Sequence, residues 1–446
     1  MAKQGILILA AIFLLEAFMP GLHPANASTD SRADELFTAL RDRRFTKATE
    51  HFDPTMKQGL SADQLQTVWL QIVATEGNLE KWKIIQRGEM SGINVVGVEL
   101  TFEHGKLLST VSVRPQTDEI AGLYFRPLPT EPGASLSPAT SPPYADAVKF
   151  HAEAVTVGEN PWKLPGILTI PNGSGPFPAI VLLAGSGPQD RDETIGPNHI
   201  FKDFAEGLST RGIVVLRYDK RTYAYHTLDP QKVTVEEEVI DDGVAAVRLL
   251  RARREVERDR IFVVGHSLGA MLTPEVAKKA WPVAGIVLLA PVGRKLPAVV
   301  VQQMRYLGQA SPDQLALIER QADEISAHKM PPAQYWLGAP ASYYYDLDAR
   351  DEVAIARSLD VPILILHGGR DYQVIDEDIR IWQKGLKGDA KVQVDTFPSL
   401  NHLFIAGAGE PGPAEYETPG HVDVAVIGTI ASSIANAAGT TTARGA

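Results

Sequence analysis

The sequence predicts an α/β fold: an eight-stranded, mostly parallel sheet covered by helices, preceded by a small α+β domain. Three observations carry that prediction. From about residue 144 onward, short β-branched runs alternate with helical stretches, the signature of a parallel sheet with covering helices. Ahead of them, apolar residues pattern as helices and then as alternating strands. The chain has 446 residues, 44% of them hydrophobic and 22% charged, which is ample for two or three domains and far from the composition of disorder.

Met1 to Ala27 reads as a secretory signal: Lys3 opens it, Gly5 to Met19 is mostly apolar, and Ala25-Asn26-Ala27 supplies a small-x-small cleavage pattern. The apolar run is shorter than the roughly 20 residues a membrane span needs and Pro20-Gly21 follows it. Cleavage after Ala27 and an extracytoplasmic (periplasmic or secreted) mature chain are therefore expected, with no stable membrane insertion. Residues 28–127 form the α+β domain, with helical patterning from Ala33 to Phe52 and from Ser61 to Glu76. Strand-like stretches follow at Lys83 to Met90, Ile93 to Phe102, Lys106 to Pro115 and Ile120 to Tyr124. Residues 128–143, rich in Pro, Ser and Thr, read as a linker.

The main domain is expected over 144–438. Its eight strands are Val148 to Val157, Leu164 to Ile170, Ala179 to Leu183, Ile213 to Leu216, Ile261 to Val264, Gly285 to Leu289, Ile363 to Leu366 and Val392 to Thr396. The first two are too close for a crossover helix, so they are expected as an antiparallel pair at one edge with the other six parallel. Between the sixth and seventh strands lies an insertion, 293–360, read as a lid with two helices, the second opening at Ser311-Pro312-Asp313-Gln314. The small polar residues 439–446 read as a flexible tail.

Lys plus Arg number 43 against 54 Asp plus Glu, a net charge of -11. An acidic chain without a basic run does not suit nucleic acid or an anionic membrane surface. With no Cys, covalent chemistry must use another nucleophile and thiolate metal sites are excluded.

Gly265-His266-Ser267-Leu268-Gly269 is a G-x-S-x-G pattern directly after a buried strand and before a helical stretch. The five-residue pattern alone is weak. In this context it reads as a sharp strand-to-helix turn, whose crowding demands small flanking residues and whose helix start offers free N–H groups to an oxyanion. A serine hydroxyl needs a base and an orienting carboxylate. Asp371 follows the seventh strand in a glycine turn and His402 follows the eighth, completing the order Ser, Asp, His on the carboxyl edge of the sheet. The glycine-rich loop after the third strand, Ala184-Gly185-Ser186-Gly187, is expected to supply the second oxyanion N–H, from Ser186, beside that of Leu268. Asp190, Arg191 and Asp192 read as a structural ion-pair cluster, His266 and His367 as packing residues, and His226 as a distant alternative base. Tyr343, Tyr344 and Tyr345 lie in an aromatic-rich part of the insertion; any single ring is expected to pack the lid onto the sheet, while at least one ring of the cluster is expected to wall a substrate pocket.

The blocks LLAGSGPQDRDE, VLRYDKR, RIFVVGHSLGA, ILILHGGRDYQV and SLNHLF resemble the α/β-hydrolase superfamily, specifically bacterial serine esterases of the dienelactone-hydrolase-like or serine-aminopeptidase-like group. The resemblance implies an α/β-hydrolase fold, Ser267, Asp371 and His402 as triad, and Ser186 and Leu268 as oxyanion donors. It also implies a cystatin-like shape for the first domain. Two departures stand out: true dienelactone hydrolases use a cysteine, which this chain lacks, and Thr222-Tyr223-Ala224-Tyr225 replaces the usual glycine-rich turn after YDKR. The expected activity is a carboxylesterase acting on small to medium carboxylic esters through an acyl-enzyme, with no metal or organic cofactor. A serine peptidase and a non-catalytic binding protein on the same scaffold are the alternatives, and oligomeric state is left open.

Overall fold

The computed structural model describes residues 27–90, 93–103, 105–127, 140–225, 233–308, 312–336 and 339–441. The expected signal and most of the expected linker lie outside these residues, as does His226. The chain divides into two compact units between Leu136 and Ser137.

In the first unit, helices α1 (Ala27–Arg41) and α2 (Ala62–Glu76) accompany an antiparallel meander of β1 (Leu79–Met90), β2 (Ile93–Phe102), β3 (Lys106–Arg114) and β4 (Glu119–Pro127). Ser61 starts α2 with a capping box closed by Gln64. Leu36, Phe37, Leu40, Trp69 and Ile72 from the helices share one core with Val98, Leu100 and Val111 from the sheet. The helix expected from Ala33 to Phe52 is instead broken. It stops at Arg41, Arg43 takes a left-handed φ of 56°, and short turns at Phe45–Ala48 and Pro54–Gly59 follow. The apolar spacing continues past Arg41, but the left-handed residue redirects the chain.

The second unit is built on eight strands: β5 (Phe150–Val157), β6 (Leu164–Pro171), β7 (Phe177–Leu183), β8 (Val214–Tyr218), β9 (Val256–His266), β10 (Gly285–Leu289), β11 (Ile363–Gly368) and β12 (Val392–Phe397). Their order across the sheet is β12-β11-β10-β9-β7-β8-β6-β5. β6 runs antiparallel to both neighbours, and the pairings from β8 to β12 are parallel. β8 and β10 are buried throughout and β7 nearly so, as a sheet covered on both faces requires. Alternation decides which helix each strand residue meets. Ile180, Leu182, Val264 and Leu364 join Phe204 and Leu208 of α3 (Ile200–Ser209) and Ile427 and Ile430 of the last helix, Val424–Thr441. Leu183 points the other way, toward Gly243 and Val276 of the helices Asp242–Ala252 and Leu268–Lys279. The last helix continues to Thr441, past the boundary expected at 438.

Among its described residues the insertion holds four helices where two were expected: Leu296–Leu307, Pro312–Ser326, Ala341–Asp348 and Glu352–Ser358. The last two are short and begin at Pro340 and at Asp351, whose carboxylate caps Ala354 N, so the sequence period has little length in which to show. Asp378, fully buried, anchors the start of the insertion by accepting from Gly293 N, Arg294 N and the Arg294 guanidinium.

Glu352 is buried, and burial together with the neighbouring Glu275 raises its carboxyl above the ordinary range. A carboxyl raised on folding keeps a proton that the unfolded chain releases. Stability is then greatest below the usual glutamate range and falls as pH rises through it toward the raised value. Glu352→Gln should flatten that fall, giving a higher melting temperature than the parent at about pH 8 and little difference at about pH 4. Parallel melting curves for the two proteins across this range would contradict the assignment.

Candidate active site

Ser267 sits between the end of β9 and the start of helix Leu268–Lys279, with φ 54° and ψ -117°. A non-glycine residue in that region costs on the order of 1–3 kcal/mol and persists only where its surroundings fix it. The surroundings here are close. A Cβ on Gly265 would lie 2.3 Å from the Gly269 carbonyl oxygen, and one on Gly269 would lie 2.2 Å from that of Leu183. Ser267 N donates to Leu289 O at 2.8 Å, tying the turn to β10. The serine stays partly exposed at the turn, and Leu268, as the first helical residue, has an amide without an intrahelical acceptor.

Asp371 follows β11 in the predicted glycine turn. Its Oδ1 accepts from Gln373 N at 2.8 Å and Val374 N at 2.9 Å. Its Oδ2 accepts from His402 Nδ1 at 2.6 Å, with both side chains buried. With that carboxylate accepting from three donors, His402 turns its Nδ1–H to Asp371, which leaves Nε2 as the basic nitrogen. The loop after β12 is shaped by Asn401, whose Oδ1 accepts from Leu403 N and Ile405 N. His402 O accepts from His266 Nε2 at 3.0 Å, and the two imidazole rings lie 4.6 Å apart. The residue beside His266 is Ser267, so serine, base and acid reach one place from three strand ends.

The loop after β7 meets them. A Cβ on Gly185 would stand 3.3 Å from Ser267 Cβ, which brings the backbone of Gly185 and the exposed Ser186 alongside the nucleophilic turn. Gly185 N donates to Glu193 Oε1 at 2.7 Å, and the same oxygen lies 3.0 Å from His266 Nδ1. Burial pulls the His266 pKa down, but Glu193 more than offsets this and the balance lies upward. His266 is more than packing: its two ring nitrogens face Glu193 Oε1 and His402 O, bridging the loop after β7 to the His402 loop. Arg191 pairs with Asp219 through two contacts of 2.8 and 2.7 Å, Arg217 with Asp192 at 2.7 Å, and Asp190 accepts from Thr194. This cluster is structural. His367 sits at the end of β11, its Nε2 3.2 Å from Asp376 Oδ1.

The hydroxyls of the three tyrosines in the aromatic-rich part of the insertion are all bonded within the protein. Tyr343 and Tyr344 are buried, and their hydroxyls donate to Glu238 Oε2 at 2.8 Å and Trp336 O at 3.0 Å. Tyr345 donates to Met330 O at 2.6 Å and stacks on His328. A sequence shows that rings cluster, not which way each faces; here backbone carbonyls and a buried carboxylate claim the phenols. Glu193, Lys220 and Glu238 are the polar residues around the site that sequence reasoning missed. Among the described residues no group of three or more His, Asp or Glu is arranged to hold a metal ion.

Residues 180–411 match the family described as "Alpha/beta hydrolase family", and residues 33–123 match a protein family of unknown function, DUF3887. Esterase EstD of Thermotoga maritima is 41% identical over 407 residues, covering 90% of this chain and 94% of that protein. Among solved structures, Est1E from Butyrivibrio proteoclasticus aligns with 17% identity and a TM-score of 0.41 over 63% of this chain and 95% of its own. The Pyrococcus furiosus esterase Pf2001 aligns with 18% identity and a TM-score of 0.40 over 57% and 83%.

A fluorophosphonate probe should label Ser267 and no other residue, Ser267→Ala should take no label, and His402→Ala should label at least about 100-fold more slowly. Peptide mapping by mass spectrometry checks all three, and labelling that survives Ser267→Ala would displace the nucleophile.

Proposed function

The chain belongs to the alpha/beta hydrolase family, and on that premise we propose that it is a serine carboxylesterase working through an acyl-enzyme on Ser267. The observation that carries the proposal is the Asp371–His402 hydrogen bond of 2.6 Å, held beside a serine in strained left-handed backbone at the start of a helix. His402 Nε2 takes the proton of Ser267 Oγ as that oxygen attacks the ester carbonyl carbon. The oxyanion that forms is met by the N–H groups of Ser186 and Leu268, and Asp371 stabilises the imidazolium. Collapse of the tetrahedral intermediate breaks the bond to the alcohol oxygen, which receives the proton from His402. Water, giving a proton to His402, then attacks the acyl carbon; collapse breaks the bond to Ser267 Oγ, which takes that proton back from His402 as the carboxylic acid leaves.

A small-molecule carboxylic ester is the substrate, in keeping with the esterase to which 90% of the chain aligns. Among the described residues no helix is long and apolar enough to cross a membrane. Residues 1–27 direct export in this reading and are removed after Ala27; Lys3, the apolar run and Ala25-Asn26-Ala27 support it.

p-Nitrophenyl esters of short acids should be turned over with kcat/KM at least about 100-fold above that for aminoacyl p-nitroanilides, the amide being the harder bond. Preferred anilide cleavage would make the enzyme a peptidase, and no turnover of either would leave a binding protein. Every residue given a role lies in the second unit, so a chain lacking residues 28–127 should keep kcat for p-nitrophenyl acetate within about threefold of the parent. A truncated protein with native circular dichroism and no turnover would contradict this.

A further inference from the structure

Gly185, the residue before Ser186, is held at its N–H and at its carbonyl by buried ionic groups. Gly185 N donates to Glu193 Oε1 at 2.7 Å, and Gly185 O accepts from Lys220 Nζ at 2.9 Å. Lys220 is 4% exposed. Its ammonium also lies 3.4 Å from Glu238 Oε1, and Glu238 is 2% exposed. That carboxylate accepts from Thr222 Oγ1 at 2.7 Å and, on its other oxygen, from the Tyr343 hydroxyl at 2.8 Å. Tyr343 belongs to the insertion helix Ala341–Asp348. The contacts therefore run from the insertion to the oxyanion loop through Tyr343, Glu238, Lys220 and Gly185.

Two physical points give this chain a role. A peptide unit is rigid, planar and trans, so its carbonyl and its N–H point in opposite directions. Holding the Gly185 carbonyl on one side fixes the aim of the Ser186 N–H on the other. Oxyanion donors stabilise the transition state only when they are aimed before charge develops. A lysine ammonium out of water also needs partners. Were Lys220 present only to neutralise Glu238, its short contact would be to that carboxylate; the shorter contact is to Gly185 O. Burial and Glu238 hold the Tyr343 phenol well above its usual range, so it remains a proton donor to the carboxylate.

We propose that Lys220 is a positioning residue for the oxyanion hole, aiming the Ser186 N–H through the Gly185 carbonyl, and that Tyr343 and Glu238 make this aim depend on how the insertion helix is seated. The proposal rests on the esterase reading above. It deepens it by joining the insertion to transition-state stabilisation.

The test compares the full-length parent with Lys220→Met/Glu238→Gln, which removes both charges together, and with Tyr343→Phe, which removes one hydroxyl. Three quantities are read: fluorophosphonate-titrated Ser267, kcat and KM for p-nitrophenyl acetate, and Ki for a trifluoromethyl ketone. The ketone is attacked by Ser267 Oγ to give a tetrahedral oxyanion adduct. The expected result for the double variant is a kcat lower by about 100-fold per titrated site, the scale of losing one oxyanion donor. KM should stay within about twofold, and the ketone Ki should rise by the same factor as kcat falls. Tyr343→Phe should shift kcat and Ki by about fivefold in the same directions, the worth of one hydrogen bond. A merely structural role lowers the titrated fraction and leaves the per-site Ki unchanged, and that outcome overturns the proposal. If the double variant does not fold, Tyr343→Phe decides: unchanged per-site kcat and Ki overturn the link. A parent that takes no label at Ser267 removes the esterase reading and this proposal together, whereas a labelled parent with insensitive variants removes the positioning role alone.

Discussion

Everything at this site depends on how closely one strand, its neighbour and one helix cross at Gly265 and Gly269. With carbonyl oxygens 2.3 and 2.2 Å from where a side-chain carbon would stand, the chain has room for nothing larger. It must leave β9 and enter the helix within a single residue. Ser267 is that residue, and its φ of 54° follows from the crossing. The turn leaves Ser267 partly exposed at the point where the first helical amides are unsatisfied. Without the crossing, Asp371 and His402 would still form a buried pair, but with no serine held beside it.

Around that turn the structure uses charge to hold backbone in place. Glu193 Oε1 accepts from Gly185 N and faces His266 Nδ1, while His266 Nε2 donates to the His402 carbonyl. Lys220, itself paired with Glu238, holds the Gly185 carbonyl on the other side. Each buried ion faces an opposite charge or a hydrogen-bonding backbone group, as burial of charge requires. The loops carrying Gly185 and His402 are thereby linked through Glu193 and His266. This arrangement suits a reaction whose transition state is stabilised by dipoles fixed in advance.

How much of this the sequence disclosed depends on range. The large sheet was legible because each strand is a short apolar run with its own boundaries, and the antiparallel edge because β5 and β6 are too close for a crossover. Ser267 was legible through its glycines, and Asp371 and His402 through their places after β11 and β12. The break at Arg43 was hidden because apolar spacing runs on through Phe45 and Phe52, while the turn depends on one backbone torsion. The directions of Tyr343, Tyr344 and Tyr345 were hidden for a different reason. Glu238, Trp336 O and Met330 O, which accept their hydrogen bonds, sit at no regular spacing from them. Lys220 in the YDKR block gave no sign of its partner, because Gly185, Glu238 and Tyr343 come from three separate segments that meet only in the folded chain.

The central claim is that ester cleavage passes through a covalent acyl group on Ser267. Its most direct test is rapid acid quench of enzyme mixed with p-nitrophenyl acetate, followed by mass spectrometry of the peptides. The account predicts a burst of p-nitrophenol stoichiometric with enzyme and an acetyl group on the peptide containing Ser267, both absent after Ser267→Ala. Steady turnover with no acetylated peptide at any quench time, or acetylation confined to another residue, would contradict it.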